Sequence, residues 1–169
     1  NGINLEYMNE KNIKQKGKTI RKNILQSFNK KFIIVCVSNI KKNKGQLDLI
    51  NAIEESKKDL NKSDFYLIFL GESQDSYKKD IDIMINKKGL QKDVAFYGLK
   101  KDVRPFLYAA DLGVLCSRAE GFSNALLEYQ SCGLPSIVTN IGGNKEIIKE
   151  GFNGYLYNPG DYLDLLSKI

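Results

Sequence analysis

The sequence predicts an α/β fold, a doubly wound parallel sheet of Rossmann-like type, on three observations. Short apolar runs alternate along the chain with segments of helical period, the pattern of a parallel sheet covered on both faces. The 169 residues suit one domain, a length that buries about 70% of the unfolded surface in a sizeable core. The polar motifs that stand out fall in the turns after the apolar runs, and such sheets bind ligands outside the carboxyl ends of their strands.

Taken in order, Ile3 to Tyr7 reads as a short strand entering from another domain and Thr19 to Phe28 as a helix. Lys31 to Val37 is the first strong strand, apolar almost throughout, as a strand buried on both faces must be. A turn over Ser38 to Asn43 and the pair Lys44-Gly45 lead into a helix near Gln46 to Lys57. Phe65 to Leu70, Val94 to Tyr97, Leu112 to Cys116, Ser136 to Val138 and Tyr155 to Tyr157 continue the strands. Helices are expected between them near Tyr77 to Lys88, Val103 to Ala110, Ala125 to Cys132 and Lys145 to Lys149.

Composition narrows the function classes. The chain is 42% hydrophobic and 27% charged, ordinary for a globular protein, and no apolar run approaches the roughly 18 residues of a membrane span. Its formal charge of +6 comes from lysines scattered in pairs such as Lys41-Lys42, Lys57-Lys58, Lys78-Lys79 and Lys87-Lys88. That is a solvated surface rather than the concentrated basic face, with stacking aromatics, that nucleic-acid binding needs. An attraction to anionic nucleotides or to an anionic membrane surface stays open. Cys36, Cys116 and Cys132 are odd in number, lie in apolar strings and lack metal-ligand spacing, so buried reduced thiols in a cytosolic protein are expected, without disulfide or zinc. The first residues have neither a leader nor an initiating Met, and the chain is read as an excised piece with a partner domain elsewhere.

The stretch from Ser117 to Glu128 carries the chemistry. It sets two carboxylates, Glu120 and Glu128, around a loop feeding a helix N-terminus. Free N–H groups there attract phosphate oxygens, while carboxylates accept hydrogen bonds from sugar hydroxyls. A nucleotide-sugar site is the reading. Gly121 offers backbone angles that other residues avoid, and Ser123 or Asn124 is positioned to cap the helix. Glu128 lies in an apolar helix and needs a partner, because an unpartnered buried carboxylate is costly. Asn124, Glu128 and Ser131 form a polar stripe at helical spacing. Residues alone leave a bland alternative open: a capped helix, a surface-loop carboxylate and a solvated face. Lys44 follows the first strand and its turn, where its ammonium would meet a diphosphate. Asp80-Ile81-Asp82 falls in a lysine-rich helix, where carboxylates two apart point away from each other, so no metal is expected. The first strand is not followed by a G-x-G-x-x-G turn, and Ser38-Asn39 stands where a phosphoacceptor domain would have an acidic pair. Both alternatives to a nucleotide-sugar domain are thereby disfavoured.

The chain also resembles the retaining glycosyltransferases of family 4 (group 1), specifically the C-terminal, donor-binding domain of their GT-B architecture. The resemblance rests on Asn1-Gly2-Ile3-Asn4, Lys44-Gly45, Phe96-Tyr97-Gly98, Ala110-Asp111, Glu120-Gly121-Phe122 with Glu128, Cys132-Gly133-Leu134-Pro135, Ile141-Gly142-Gly143-Asn144-Lys145-Glu146 and Gly151-Phe152-Asn153-Gly154, in family order. It implies that residues 1–169 form a single nucleotide-sugar-binding domain, the acceptor-binding N-terminal domain lying outside the chain. Glu128 would bind the ribose, and Glu120 the hydroxyls of the transferred sugar. The N–H groups of Gly121, Phe122 and Ser123 would lie near sugar and diphosphate, with Asn124 beside them. Lys44 would hold the diphosphate, Glu120 and Lys44 being the catalytic residues. Tyr97, Gly98 and Leu99 would read the base through their backbone, which leaves UDP, GDP and ADP open, with UDP favoured.

One departure matters. The family commonly carries Gly-Arg-Leu before this Lys, its Arg on phosphate, where this chain has Ser38-Asn39-Ile40. Asn39 retains only a neutral hydrogen-bonding role, and Lys41, Lys42 or a basic residue from another domain are the candidates to supply the charge. The resemblance implies transfer of a sugar to an acceptor hydroxyl in bacterial surface polysaccharide or glycoconjugate synthesis. The acceptor would be a glycan, lipid or protein, and no cofactor beyond the donor is implied. The enzyme would be cytoplasmic, with peripheral association of the full-length protein at the inner face of the membrane. Family members take a His from the N-terminal domain, and this chain has none, so the fragment alone is expected to be inactive. A noncatalytic nucleotide-sugar-binding or regulatory module is the alternative.

Overall fold

A computed structural model describes residues 11–28, 32–58 and 65–169; the strand expected over Ile3 to Tyr7 lies outside them. The described elements are α1 (Lys11–Phe28), β1 (Phe32–Val37), a 3₁₀ turn (Lys42–Lys44), α2 (Gln46–Ser56), β2 (Phe65–Leu70), α3 (Asp75–Lys87) and β3 (Val94–Phe96). They continue with α4 (Arg104–Ala109), β4 (Leu112–Leu115), α5 (Asn124–Ser131), β5 (Ser136–Thr139), α6 (Asn144–Ile147), β6 (Gly154–Tyr157) and α7 (Tyr162–Lys168). The expected doubly wound α/β fold is observed: all strands are parallel, in the order β3-β2-β1-β4-β5-β6.

Alternation along the strands divides the core between the two faces of the sheet. Ile34 and Cys36 of β1, Phe69 of β2 and Val114 of β4 point to one face and meet Leu49 and Ile53 of α2, Ile81 of α3 and Leu165 of α7. Ile33 and Val35, with Ile68 and Leu115, point to the other and meet Ile24 of α1, Phe106 and Leu107 of α4, and Leu126 and Tyr129 of α5. Each fully buried Ile or Leu contributes about 1.5–3 kcal/mol. These contacts, rather than helix propensity, hold the short helices in place.

Two helices differ from expectation. α1 begins at Lys11 rather than near Thr19, and its first turns hide under lysines and asparagines that mask a buried stripe of Ile13 and Ile24. α7 has no counterpart among the expected helices, although its local signal is present: the Asp161 carboxylate accepts from the N–H of Asp164 at 2.9 Å, and Leu165 is fully buried. Ala110-Asp111 has a structural role. The Asp111 carboxylate accepts from the β1 amide of Ile33 and from Arg21 of α1, both at 2.8 Å, which ties the start of β1 to the helix above it.

The chain order reverses between β1 and β4, and at such a switch point a crevice opens outside the carboxyl ends of the strands. The turns that follow these two strands carry Lys44 and Glu120.

Candidate functional site

The turn after β1 ends at Gly45, which adopts φ 65° and whose Cβ, if present, would lie 2.1 Å from the carbonyl oxygen of Cys116. Only glycine lets the β1 turn close against the end of β4. This approach brings Lys44 within reach of the loop over residues 117–123. Lys44 Nζ donates to Glu120 Oε1 at 2.5 Å, and Ser117 Oγ donates to the same oxygen at 2.6 Å. The Lys44 and Glu120 side chains are 23% and 17% exposed, so the pair is only partly screened by water.

The loop bearing Glu120 is fastened to its neighbours. The Arg118 N–H donates to the Asn43 carbonyl at 2.8 Å, joining it to the β1 turn. The Arg118 guanidinium donates to Asp48 of α2 at 2.7 Å, and the other Asp48 oxygen accepts from the Gly160 amide at 3.2 Å. Behind the loop, Gly143 N–H donates to the Gly121 carbonyl at 2.8 Å. Gly142, at φ 46°, presses so close that a Cβ would fall 1.9 Å from the Glu120 carbonyl oxygen. The glycine pair therefore acts as a rest for the loop, and Glu146 stands exposed on the single-turn α6.

At the start of α5 the cap is Ser123, whose Oγ accepts from the Leu126 N–H at 3.3 Å; Asn124 is the first helical residue and is exposed. Gly121 corrects an expectation. It is not among the positive-φ glycines, and a Cβ there would meet nothing within 4 Å, so its lack of a side chain leaves open space beside the loop rather than relieving a strained backbone. Phe122 is 43% exposed at the rim. The polar stripe on α5 is also split, because Ser131 Oγ turns back onto the Leu127 carbonyl at 2.8 Å. Glu128 lies half-buried one turn beyond Asn124. Burial, and then the charge of nearby Asp102, push its carboxyl above the ordinary 4.5, and no hydrogen bond to the carboxylate offsets them among the described residues.

The remaining expected residues lie beyond β1, β2 and β3. Gly98, at φ 68°, turns the chain after Tyr97 and accepts from the Gly71 N–H at 3.1 Å. The Tyr97 ring packs edge-on against Phe106 with centroids 5.1 Å apart, while Leu99 is 72% exposed. A cavity of about 110 Å³ lies here, lined by Val37, Asn39, Leu70, Leu99 and Val103 among others. Asn39 Oδ1 accepts from the Glu72 N–H at 3.1 Å, so the residue in the place of the family's Arg braces the β1 and β2 turns. Lys41 and Lys42 are exposed.

Four residues that sequence reasoning leaves without a role help to build this region: Ser117, Arg118, Asp48 and Gln46. Gln46 is fully buried, and its Nε2 donates to Ser38 Oγ at 3.0 Å and to the Asn39 carbonyl at 2.9 Å. A polar residue straight after Lys44-Gly45 is the available signal. Asp82, by contrast, makes a surface pair with Lys78 of its own helix at 2.5 Å, and among the described residues no group of three or more His, Cys, Asp or Glu side chains converges on one point. Cys36 and Cys116 are buried free thiols and Cys132 a partly buried one; burial pushes Cys36 and Cys132 up to about 11.

Comparison with known proteins gives a consistent picture. A family profile described as "Glycosyl transferases group 1" matches residues 17–169. The chain is 32% identical over 138 residues to the putative glycosyltransferase EpsD of Bacillus subtilis, covering 82% of this chain and 35% of that protein. It is 34% identical over 105 residues to the UDP-Gal:alpha-D-GlcNAc-diphosphoundecaprenol alpha-1,3-galactosyltransferase of Escherichia coli, covering 62% of this chain and 26% of that protein. The crystal structure of Anabaena Alr3699/HepE in complex with UDP-glucose superimposes with a TM-score of 0.86 at 25% identity, over 99% of this chain and 44% of that one. The chain thus spans between about a quarter and about a third of the length of these curated relatives. Among the described residues no helix is long and apolar enough to cross a membrane.

Proposed function

Because the chain belongs to the group 1 glycosyl transferases, we propose that it is the donor-binding half of a retaining GT-B enzyme of glycosyltransferase family 4. The enzyme would move a sugar from a nucleoside diphosphate to an acceptor hydroxyl in bacterial surface polysaccharide or glycoconjugate synthesis. The observation that carries this reading is the convergence, at the switch point of the sheet, of a cation (Lys44), a carboxylate (Glu120) and the N-terminus of α5.

Each group has a chemical task. Lys44 and the N–H groups of Gly121, Phe122 and Ser123 stabilise the charge that grows on the leaving diphosphate, the type of preorganised electrostatic help that contributes most to catalysis. Glu120 accepts from hydroxyls of the transferred sugar. Glu128 accepts two hydrogen bonds from the ribose, a task suited to an acceptor-only group, and its half-buried carboxylate, without a hydrogen bond among the described residues, supports that role. The base lies against Tyr97, Gly98 and Leu99, with Asn39 as a neutral neighbour of the phosphates. UDP is the preferred nucleotide, in keeping with the UDP-Gal in the name of the Escherichia coli protein and the UDP-glucose in complex with the Anabaena protein. An acceptor that attacks from the leaving-group face needs no covalent nucleophile. The acceptor half, and the His that family members take from it, lie in a separate domain, so this chain alone is inactive.

Calorimetric titration with UDP, GDP and ADP tests the reading. One nucleotide binds, and Glu128→Gln weakens it about 10- to 100-fold through loss of charge-assisted bonds; an unchanged affinity in the variant would remove Glu128 from the site. A second reading, a noncatalytic nucleotide-sugar-binding module, is favoured by one observation, that Asn39 supplies no charge and is already bonded to the β2 turn. Turnover by the full-length protein separates the two.

A further inference from the structure

Under the proposed function, Lys44 and Glu120 serve opposite ends of one ligand: the ammonium holds the diphosphate and the carboxylate holds the sugar. In the structure the two side chains are bonded to each other, at 2.5 Å. The Glu120 oxygen that accepts from Lys44 also accepts from the Ser117 hydroxyl at 2.6 Å, and the Ser117 side chain is buried. The neighbouring guanidinium, Arg118, is engaged by Asp48 and is not turned to the same carboxylate.

Resting on that proposed function, we infer that Glu120 is a specificity-determining residue that competes with the diphosphate for Lys44, so that the site favours a nucleotide that still carries its sugar over the free nucleoside diphosphate. A free diphosphate meets a cation whose charge is already balanced, beside a carboxylate that repels it. To take Lys44 it must leave Glu120 unpaired in a partly buried position, which is costly. A nucleotide sugar brings phosphate to Lys44 and hydroxyl donors to Glu120 in the same event, so the ion pair is exchanged for two sets of bonds. Once the sugar has left, Glu120 loses its donors and returns to Lys44. The same pair that discriminates at entry therefore loosens the nucleotide product. Ser117 is a positioning residue: it holds the carboxylate in the arrangement that captures Lys44.

The test is calorimetric titration of the full-length protein with whichever of UDP, GDP and ADP binds, and with its sugar conjugate, in the unaltered protein and in Glu120→Gln, Glu120→Ala, Ser117→Ala and Lys44→Met. Removing the Glu120 charge tightens the free diphosphate about 3- to 10-fold, the scale of a partly screened ion pair, and weakens the sugar conjugate. Both Glu120 variants share this sign, so a folding defect in one leaves the other to decide. Ser117→Ala moves the free diphosphate the same way, by about 2-fold. Lys44→Met weakens both ligands at least about 10-fold. Free-diphosphate affinity that is unchanged or lower in the Glu120 variants, with Lys44→Met still weakening it, overturns the inference and leaves the nucleotide-sugar reading standing. No binding of any nucleotide, or binding indifferent to Lys44→Met, overturns that reading and the inference with it.

Discussion

Two helices begin at the crevice, and they treat their N-termini differently. α2 carries an acidic residue in its first turn, Asp48, and this carboxylate is taken up by Arg118 and the Gly160 amide. α5 has no acidic residue in its first turn, and its cap is a neutral serine. Free N–H groups give a helix start a partial positive charge. At α2 the chain answers that charge itself, whereas at α5 it does not. The difference teaches that a nest of helix starts is not a set of equivalent binding sites: the α5 start, which no acidic residue of its own first turn answers, is the one whose N–H groups are left for an anion.

Three perturbations would break or sharpen this contrast. The largest effect is expected at α2. Asp48→Ala strands Arg118 and the Gly160 amide and lowers unfolding free energy in urea by about 1–2 kcal/mol, and Asp48→Asn costs less, because burial already raises the Asp48 carboxyl and Arg118 offsets this only in part. Equal losses in the two variants would show that the charge, not the hydrogen bonding, holds the region. Next comes the open end: Ser123→Ala removes the side-chain cap of α5 and costs about 1 kcal/mol in the same measurement, with nucleotide affinity falling as the turn frays.

The smallest effect is a pH dependence. The Glu128 carboxyl is raised above its ordinary 4.5, so the folded state binds the proton more readily than the unfolded chain. Its contribution therefore declines as pH rises from about that ordinary value through the raised one, and is level above and below. Glu128→Gln flattens this part of the stability profile and leaves stability at neutral pH within about 0.5 kcal/mol of the parent or slightly higher, while its nucleotide binding falls. A profile of unchanged shape would show that the carboxylate is not desolvated as described. Function at Glu128 would then carry no cost in stability.

Much of this is legible in the sequence. Continuous apolar runs such as Phe32 to Val37 announce strands buried on both faces, and the Glu120-to-Glu128 stretch announces its loop and helix. What stays hidden depends on partners distant in sequence. Lys44 and Glu120 are 76 residues apart, Arg118 and Asp48 are 70 apart, and only the strand order brings them together. Local patterns report period and capping, and say nothing of which turns become neighbours. The extra turns of α1 escape for another reason: its surface lysines outnumber the few residues that face the core, and the helical stripe is thin.

The sheet itself gives the Lys44–Glu120 contact a mechanical meaning. β1 and β2 are matched through six residue pairs, from Phe32↔Phe65 to Val37↔Leu70, whereas β1 and β4 are matched at two, Ile34↔Leu112 and Val35↔Gly113. The seam between the halves of the domain is therefore the shorter of the two stitches beside β1, and it ends before the crevice is reached. The Lys44–Glu120 pair shares the closing of that gap with the Arg118 bonds to the Asn43 carbonyl and to Asp48, all reaching from the turn or helix on one side to the loop on the other. The strand register thus leaves to side chains and turns the joining of the two halves beside the crevice.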